Sequence, residues 1–171
     1  KKINGKAHIA CQAGELEASI LFDKKRGFSI VTEGKNMQLG RITGIQELES
    51  CNIEARINGN TLNWGNTTEI GGSITELTAK GYTYAPIDFT SSLDNNRIKA
   101  HITIEDPNLK GTFILSYKPN MNDRVDIDLR VDSIAPGKLN LTNSPDNTIS
   151  FTLDGEYNNY GNGNSRMNAK I

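Results

Sequence analysis

The chain is short of most features that mark a specialised partner or a known chemistry. It has no charge excess: 19 Lys and Arg stand against 20 Asp and Glu, a net charge of -1. Phosphate backbones demand a basic surplus, so the balance argues against nucleic acid as a main partner. No apolar run approaches the ~20 residues of a membrane-spanning helix. Cysteine is scarce, with only Cys11 and Cys51 in 171 residues, too few for a disulfide scaffold. The hydrophobic share, 36%, is low but not that of a disordered chain. A serine elbow, a P-loop, a zinc-ligand spacing and a glycine-rich dinucleotide loop are all missing. The sequence opens on Lys1 rather than Met and shows no signal peptide, so it reads as an excerpt or a processed form.

What abounds is Asn and Gly, with 20 and 16 residues. Both are turn formers and poor helix residues, which points to many short strands joined by tight turns. Alternation supports this. Ile98, Ala100, Ile102 and Ile104 share one face, opposite Lys99, His101, Thr103 and Glu105. Asp106-Pro107-Asn108 then leads into Leu109, Gly111, Phe113, Leu115 and Tyr117, and a turn over 118–124 into Val125, Ile127, Leu129 and Val131. Ile87, Phe89 and Leu93 precede Asp94-Asn95-Asn96. The first half has the same style in Ala7-Ile9-Cys11, Leu16-Ala18-Ile20-Phe22, Phe28-Ile30 and Cys51-Ile53-Ala55-Ile57, followed by a run from Ile74 to Tyr84. Period-two alternation bounded by turn clusters predicts half-buried antiparallel strands, each about 27 Å long at ~3.3 Å per residue. About ten strands result. A short helical turn or an irregular loop fits residues 37–48, where Met37, Leu39, Ile42, Ile45 and Leu48 recur loosely.

The chain also repeats itself. Lys6-Ala7-His8-Ile9 returns as Lys99-Ala100-His101-Ile102, with Leu16 on Leu109 and Phe22 on Leu115. Further on, Ile30 falls on Ile127, Gly40-Arg41-Ile42 on Gly137-Lys138-Leu139, Ile53 on Ile149, and Trp64-Gly65-Asn66 on Tyr160-Gly161-Asn162. The reading is a single β-repeat segment of a larger protein over 1–171. Copy one covers about 1–93, a partial copy two about 94–162, and 163–171 is a polar tail. Repeats bury apolar faces by stacking on neighbours, so an excerpt leaves such a surface uncovered.

No residue set converges on catalysis. His8 and His101, the two histidines, occupy matching repeat positions facing outward, which suits solvated strand positions better than one site. Asp126, Asp128 and Asp132 share a face without a calcium-loop pattern and read as a charged outer surface. Cys11 and Cys51 read as inward and mid-strand. They are either free, as small hydrophobes, or bridged, closing a loop for roughly 3–4 kcal/mol. Asn66-Thr67-Thr68 and Asn140-Leu141-Thr142 match the glycosylation acceptor by chance in so Asn-rich a chain. Tyr82, Tyr84, Trp64, Tyr157 and Tyr160 offer a carbohydrate platform or, more simply, a sheet rim. What remains is the apolar face. Left as the inside of a long curved sheet, it is a greasy trough suited to an acyl chain, at roughly 0.8 kcal/mol per buried methylene.

Three stretches carry a family resemblance. They are Ile74-Thr75-Glu76-Leu77-Thr78-Ala79-Lys80-Gly81-Tyr82-Thr83-Tyr84 continuing through Pro86-Ile87-Asp88-Phe89 to Leu93-Asp94-Asn95-Asn96, then Ile102-Thr103-Ile104-Glu105-Asp106-Pro107-Asn108-Leu109, and Val125-Asp126-Ile127-Asp128-Leu129. The pattern resembles the repeat region of AsmA-like envelope proteins, specifically the translocation and assembly module inner-membrane component (TamB-like) of Bacteroidetes type. The resemblance covers most of the chain at the level of strand and turn. It implies a long periplasmic parent anchored in the inner membrane, whose repeats form an elongated apolar β-groove. The implied role is outer-membrane biogenesis, through phospholipid transfer between membranes, outer-membrane protein assembly, or both. The family's anchor and C-terminal signature do not occur here, so any outer-membrane barrel partner would be met through regions outside this segment.

The expected fold is therefore all-β: an antiparallel meander of about ten strands forming an open, curved, taco-like sheet, with a closed β-sandwich as the alternative. The expected function is a non-enzymatic lipid-conduit module without cofactor or metal. Ile9, Ile20, Phe22, Phe89, Ile102, Ile104, Phe113, Leu115, Ile127 and Leu129 would line the groove against phospholipid acyl chains. An uncovered face would also favour dimerisation of the fragment. The alternative function is a cell-surface sandwich that binds glycan or protein.

Overall fold

The computed structural model describes residues 2–60, 67–94, 97–118, 124–143, 147–159 and 165–171. The elements are β1 (Lys2–Cys11), β2 (Gly14–Asp23), β3 (Gly27–Met37), α1 (Leu39–Thr43), β4 (Leu48–Gly59), β5 (Thr68–Ala79), β6 (Tyr82–Tyr84), β7 (Ile87–Asp94), β8 (Arg97–Asp106), β9 (Leu109–Lys118), β10 (Arg124–Ile134), β11 (Ile149–Asn159) and β12 (Ser165–Lys170). All strands belong to one antiparallel sheet, in chain order except that the short β6 pairs with β5 alone, and β1 and β12 stand at its two ends. The sheet is open and curved, as expected, and the closed sandwich is overturned. Among the described residues, substantial packing joins only hydrogen-bonded neighbours, apart from α1 lying on β4. Among the described residues no second layer lies on the sheet.

The strand count exceeds ten for two local reasons. The run from Ile74 to Tyr84 is two elements, because the chain reverses at Lys80-Gly81, both at positive φ, and β6 pairs back onto β5. β7 then continues along the same edge of β5. Ala85-Pro86 interrupts what would otherwise be one strand. Pro86 has no N–H to give, and the Ala85 N–H bonds the Asp106 carboxylate at 2.7 Å instead. The other difference is the expected polar tail. Its residues 165–170 form β12 on the edge of β11. Only Met167 and Ala169 alternate there, so the pairing edge, rather than composition, makes the strand.

The register places one apolar row beside the next. Gly5, Ile20, Ile30, Ile57, Ile70, Ser91, Ala100, Leu115, Ile127, Gly155 and Ala169 form a single row across the sheet. The next row holds Ala18, Thr32, Ala55, Gly72, Phe89, Ile102, Phe113, Leu129 and Leu153. Period-two side-chain alternation makes this a property of the whole face.

Glycines on that face let backbones approach. A Cβ on Gly72 would meet the Glu54 carbonyl oxygen, with the Phe89 ring at 2.8 Å and Ala55 Cα at 2.9 Å. A Cβ on Gly111 would meet the Arg130 carbonyl oxygen. Inward bending is tolerated where the inner side chain is absent.

Helical turns close one end of the sheet twice. In the first, the Gln38 N–H bonds Ala13 O in the β1–β2 turn at 2.8 Å, and the Ile42 N–H bonds Gln38 O at 3.1 Å. In the second, the Ala135 N–H bonds Asn108 O in the β8–β9 turn at 2.9 Å, and the Leu139 N–H bonds Ala135 O at 3.2 Å. The second continues further. Asn140 Nδ2 reaches Lys80 O at 2.8 Å, in the β5–β6 turn beyond β8 and β7. Leu139 is left with 0% exposure, whereas Ile42 keeps 52%. Leu139→Ala is expected to cost about 2–3 kcal/mol and Ile42→Ala about 0.5 kcal/mol, since a cavity opens only at the buried site. Urea midpoints of the two variants check this.

Candidate functional site: the apolar face

The ten residues expected to line a groove all fall on the one apolar face. Ile102 pairs with Phe89 and Phe113, Phe113 with Leu129, and Leu115 with Ile127. Ile104 pairs with Ile87. Ile9 pairs with Leu16 and Phe22 with Ile3, while Ile20 joins Ile30. Their exposure follows the sheet's shape. Phe89, Ile102, Ile104, Phe113, Leu115, Ile127 and Leu129 are half-buried in the middle. Toward β1 the cover thins, with Ile9 at 57% and Ile20 at 43%; at the far edge Met167 is 69% exposed. A monomer that hides its core would bury these side chains; here Ile87 and Val131 are the strand aliphatics on this face that fall below a tenth exposed.

One end of the face carries a polar cluster that the sequence did not announce. Asp106 is 1% exposed. It accepts hydrogen bonds from Tyr82 Oη, the Ala85 N–H and the Asn108 N–H, each at 2.7 Å. Asn108 Nδ2 donates to Tyr82 Oη at 3.0 Å. Tyr84 packs edge-on against Tyr82, with centroids 4.8 Å apart. Burial pushes the Asp106 carboxyl up, but the bonds from Ala85, Tyr82, Asn108 and Leu109 outweigh it and hold it below its usual value. Burial and the neighbouring carboxylate push the Tyr82 phenol up. The cluster is structural: it fixes the interrupted β6–β7 strand to the β8–β9 turn.

The opposite face is polar and carries the other feature missed from sequence. Gly71 pairs with Arg56 on one side and Thr90 on the other, and Thr90 with His101. Without a side chain at Gly71, a depression of about 650 Å³ forms, lined by Arg56, Glu69, Thr90, Lys99, His101 and Ile114 among others. Only the register brings these residues together, so no local motif would have found them.

Other expectations resolve as follows. The first hairpin turns between Cys11 and Gly14, the second between Asp106 and Leu109. Counted from these turns, His101 stands at the step of Lys6 and His8 at that of Thr103. A slip of two residues leaves every side chain on its face, so alternation alone does not detect it. His8 Nδ1 lies 3.5 Å from Glu17. Asp126 is paired with Arg124 at 2.8 Å and Asp132 with Arg130 at 2.7 Å. No group of three or more metal-ligating side chains occurs among the described residues. Cys11 and Cys51 are both free; Cys51 is buried, while Cys11 is exposed because it ends an edge strand. Tyr82 and Tyr84 sit at one end of the sheet, and Tyr157, paired with Val125, at the other. Trp64 and Tyr160 lie outside the described residues. No family model matches this chain, and comparison with curated proteins and with solved structures found none similar.

Proposed function

We propose that this segment is a non-enzymatic lipid-conduit module whose apolar face carries phospholipid acyl chains. Its setting is the periplasm, as part of a protein anchored in the inner membrane, and its role is outer-membrane biogenesis, by phospholipid transfer and in support of outer-membrane protein assembly. One observation carries the reading: a continuous apolar face crosses the sheet from β1 to β12, and among the described residues no second layer lies upon it. Water covers such a face at a cost of roughly 25 cal/mol per Å² of apolar surface. Acyl chains relieve that cost without specific polar groups, and the polar face keeps the module wet. Bare, the same face drives dimerisation.

The test is native mass spectrometry of the chain purified from bacteria. Co-purified phospholipid is expected. Ile20→Asp should lower the lipid-bound fraction roughly tenfold, since a charge in the trough costs a few kcal/mol. Val31→Asp should leave it unchanged, because Val31 lies on the polar face with nearly the same exposure, 42% against 43%. Both side chains are exposed enough for the fold to survive, which circular dichroism verifies. Absence of lipid from the wild-type chain, or equal loss in both variants, rejects the reading.

A further inference from the structure

Gly71 stands inside β5 without a structural reason to be glycine. Glycine weakens a strand interior, and its recurrent reasons there are a left-handed φ, a bulge, a close backbone or a ligand that comes near. Left-handed φ occurs at Gly14, Gly27, Gly44 and Gly81 instead. The ladders that join Gly71 to Arg56 and to Thr90 run past it without a register shift. A Cβ here would meet nothing nearer than Thr90 Cγ2 at 3.9 Å. The fourth reason remains, and the surroundings fit it. Gly71 belongs to the floor of the 650 Å³ depression on the polar face, an ordinary size for a small-ligand site. Arg56 stands on one side of it, and Lys99 and the His101 imidazole stand on the other. Among the described residues, none of the three forms an ion pair. Arg56 has Glu54 two residues away, the spacing at which Lys35 finds Glu33 and Arg124 finds Asp126, each at 2.8 Å, and still stands apart. Glu69 is kept from Lys99 by the short Ser92 between them.

We infer that this depression binds a small phosphorylated sugar, with the phosphate between Arg56, Lys99 and His101 and the ring on the bare backbone at Gly71. Glu69 and the hydroxyl of Thr90 are there to bond the ring hydroxyls. A phosphomonoester carries about two negative charges at neutral pH, which matches Arg56 and Lys99 together. A single carboxylate would leave one of them without a partner, and a neutral sugar would leave both. A nucleotide is a poorer occupant, because its base draws on aromatic stacking and no aromatic ring lines the depression. The site lies on the face opposite the apolar one and goes beyond the lipid reading.

The experiment titrates glucose-6-phosphate into the isotope-labelled full chain at constant ionic strength and follows the amide resonances. Saturable shifts are expected around Arg56, Gly71, Thr90, Lys99 and His101, and none with glucose. Arg56→Gln and Lys99→Gln should each weaken binding roughly fivefold. Both side chains are exposed and free of ion pairs among the described residues, so the variants fold. Gly71→Thr puts a side chain on the floor and a strand-favouring residue in β5. It should weaken binding roughly tenfold with no loss in urea midpoint, a split that a merely structural glycine would not give. Four results overturn the inference: no saturation, glucuronate or inorganic phosphate binding as tightly as the sugar phosphate, affinity unchanged in Gly71→Thr, or shifts centred on Lys24, Lys25 and Arg26 instead. None of these depends on whether lipid binds.

Discussion

Gly72→Ala is expected to lower stability by about 3 kcal/mol or more, while Gly71→Ala, one residue away, raises it by roughly 0.5–1 kcal/mol. The pair isolates curvature from strand propensity. Alanine gains a little over glycine in any strand interior, roughly 0.5–1 kcal/mol, by restricting the unfolded chain. At Gly71 the added methyl finds only Thr90 Cγ2 at 3.9 Å and Phe89 O at 4.0 Å, ordinary contacts in the open depression of the polar face. At Gly72 it would run into the Glu54 carbonyl oxygen and the Ala55 Cα of β4, with the Phe89 ring closing the remaining space. The ring can rotate; the backbone of a central strand cannot withdraw without breaking its ladder. Equilibrium urea unfolding measures both variants. Equal effects would mean that the sheet does not bend through Gly72.

Asp106→Ala is the second large effect, expected at about 4 kcal/mol. The carboxylate is buried and accepts three hydrogen bonds of 2.7 Å. Removing it leaves the Tyr82 hydroxyl and the Ala85 and Asn108 N–H groups short of partners, at roughly 1–3 kcal/mol for each donor that water cannot reach. The carboxyl is held below its ordinary value in the folded chain. Its ionisation therefore contributes stability that is fully present above the unfolded value of about 3.9 and is lost as pH falls through the folded one. Asp106→Asn tests the sign. The gap in urea midpoint between wild type and variant should be wide at neutral pH and should narrow as pH falls below the ordinary carboxylate range. A gap that widens in acid contradicts the assignment.

Much of the sheet was legible because period-two alternation is a strong signal in strands that bury one face. Ile98 through Ile104 and Val125 through Val131 read directly as strands, and their faces were assigned correctly by parity. Register was not legible to the same degree. Sliding β1 along β8 by two residues keeps every side chain on its face, so Lys6–Ile9 on Lys99–Ile102 looked as good as the alignment counted from the turns. Hydrogen bonds from distant residues were also hidden. Nothing local to Asp106 marks it as the acceptor of Tyr82 and Ala85, and nothing in Leu139 distinguishes it from Ile42. The difference between those two is made by the β5–β6 turn standing beside one of them. The depression around Gly71 belongs to the same class, since it is assembled by five strands, β4, β5, β7, β8 and β9, and encoded by none. β12 was missed for a related reason: a strand with two apolar residues is specified by the edge it joins.

The chain-order sheet has a consequence for how the molecule comes apart. Strand interfaces join neighbours in sequence, except that β5 pairs with β7 as well as with the short β6, so contact order is low, which favours fast, local assembly. It also lets the sheet fray like a zipper. A pull on the two termini detaches β1 or β12 first and then peels one strand after another, each step opposed by a single ladder instead of the whole sheet in shear. Edge strands should exchange their amides fastest and the central β7, with β5 and β8 beside it, slowest, a gradient set by position in the row.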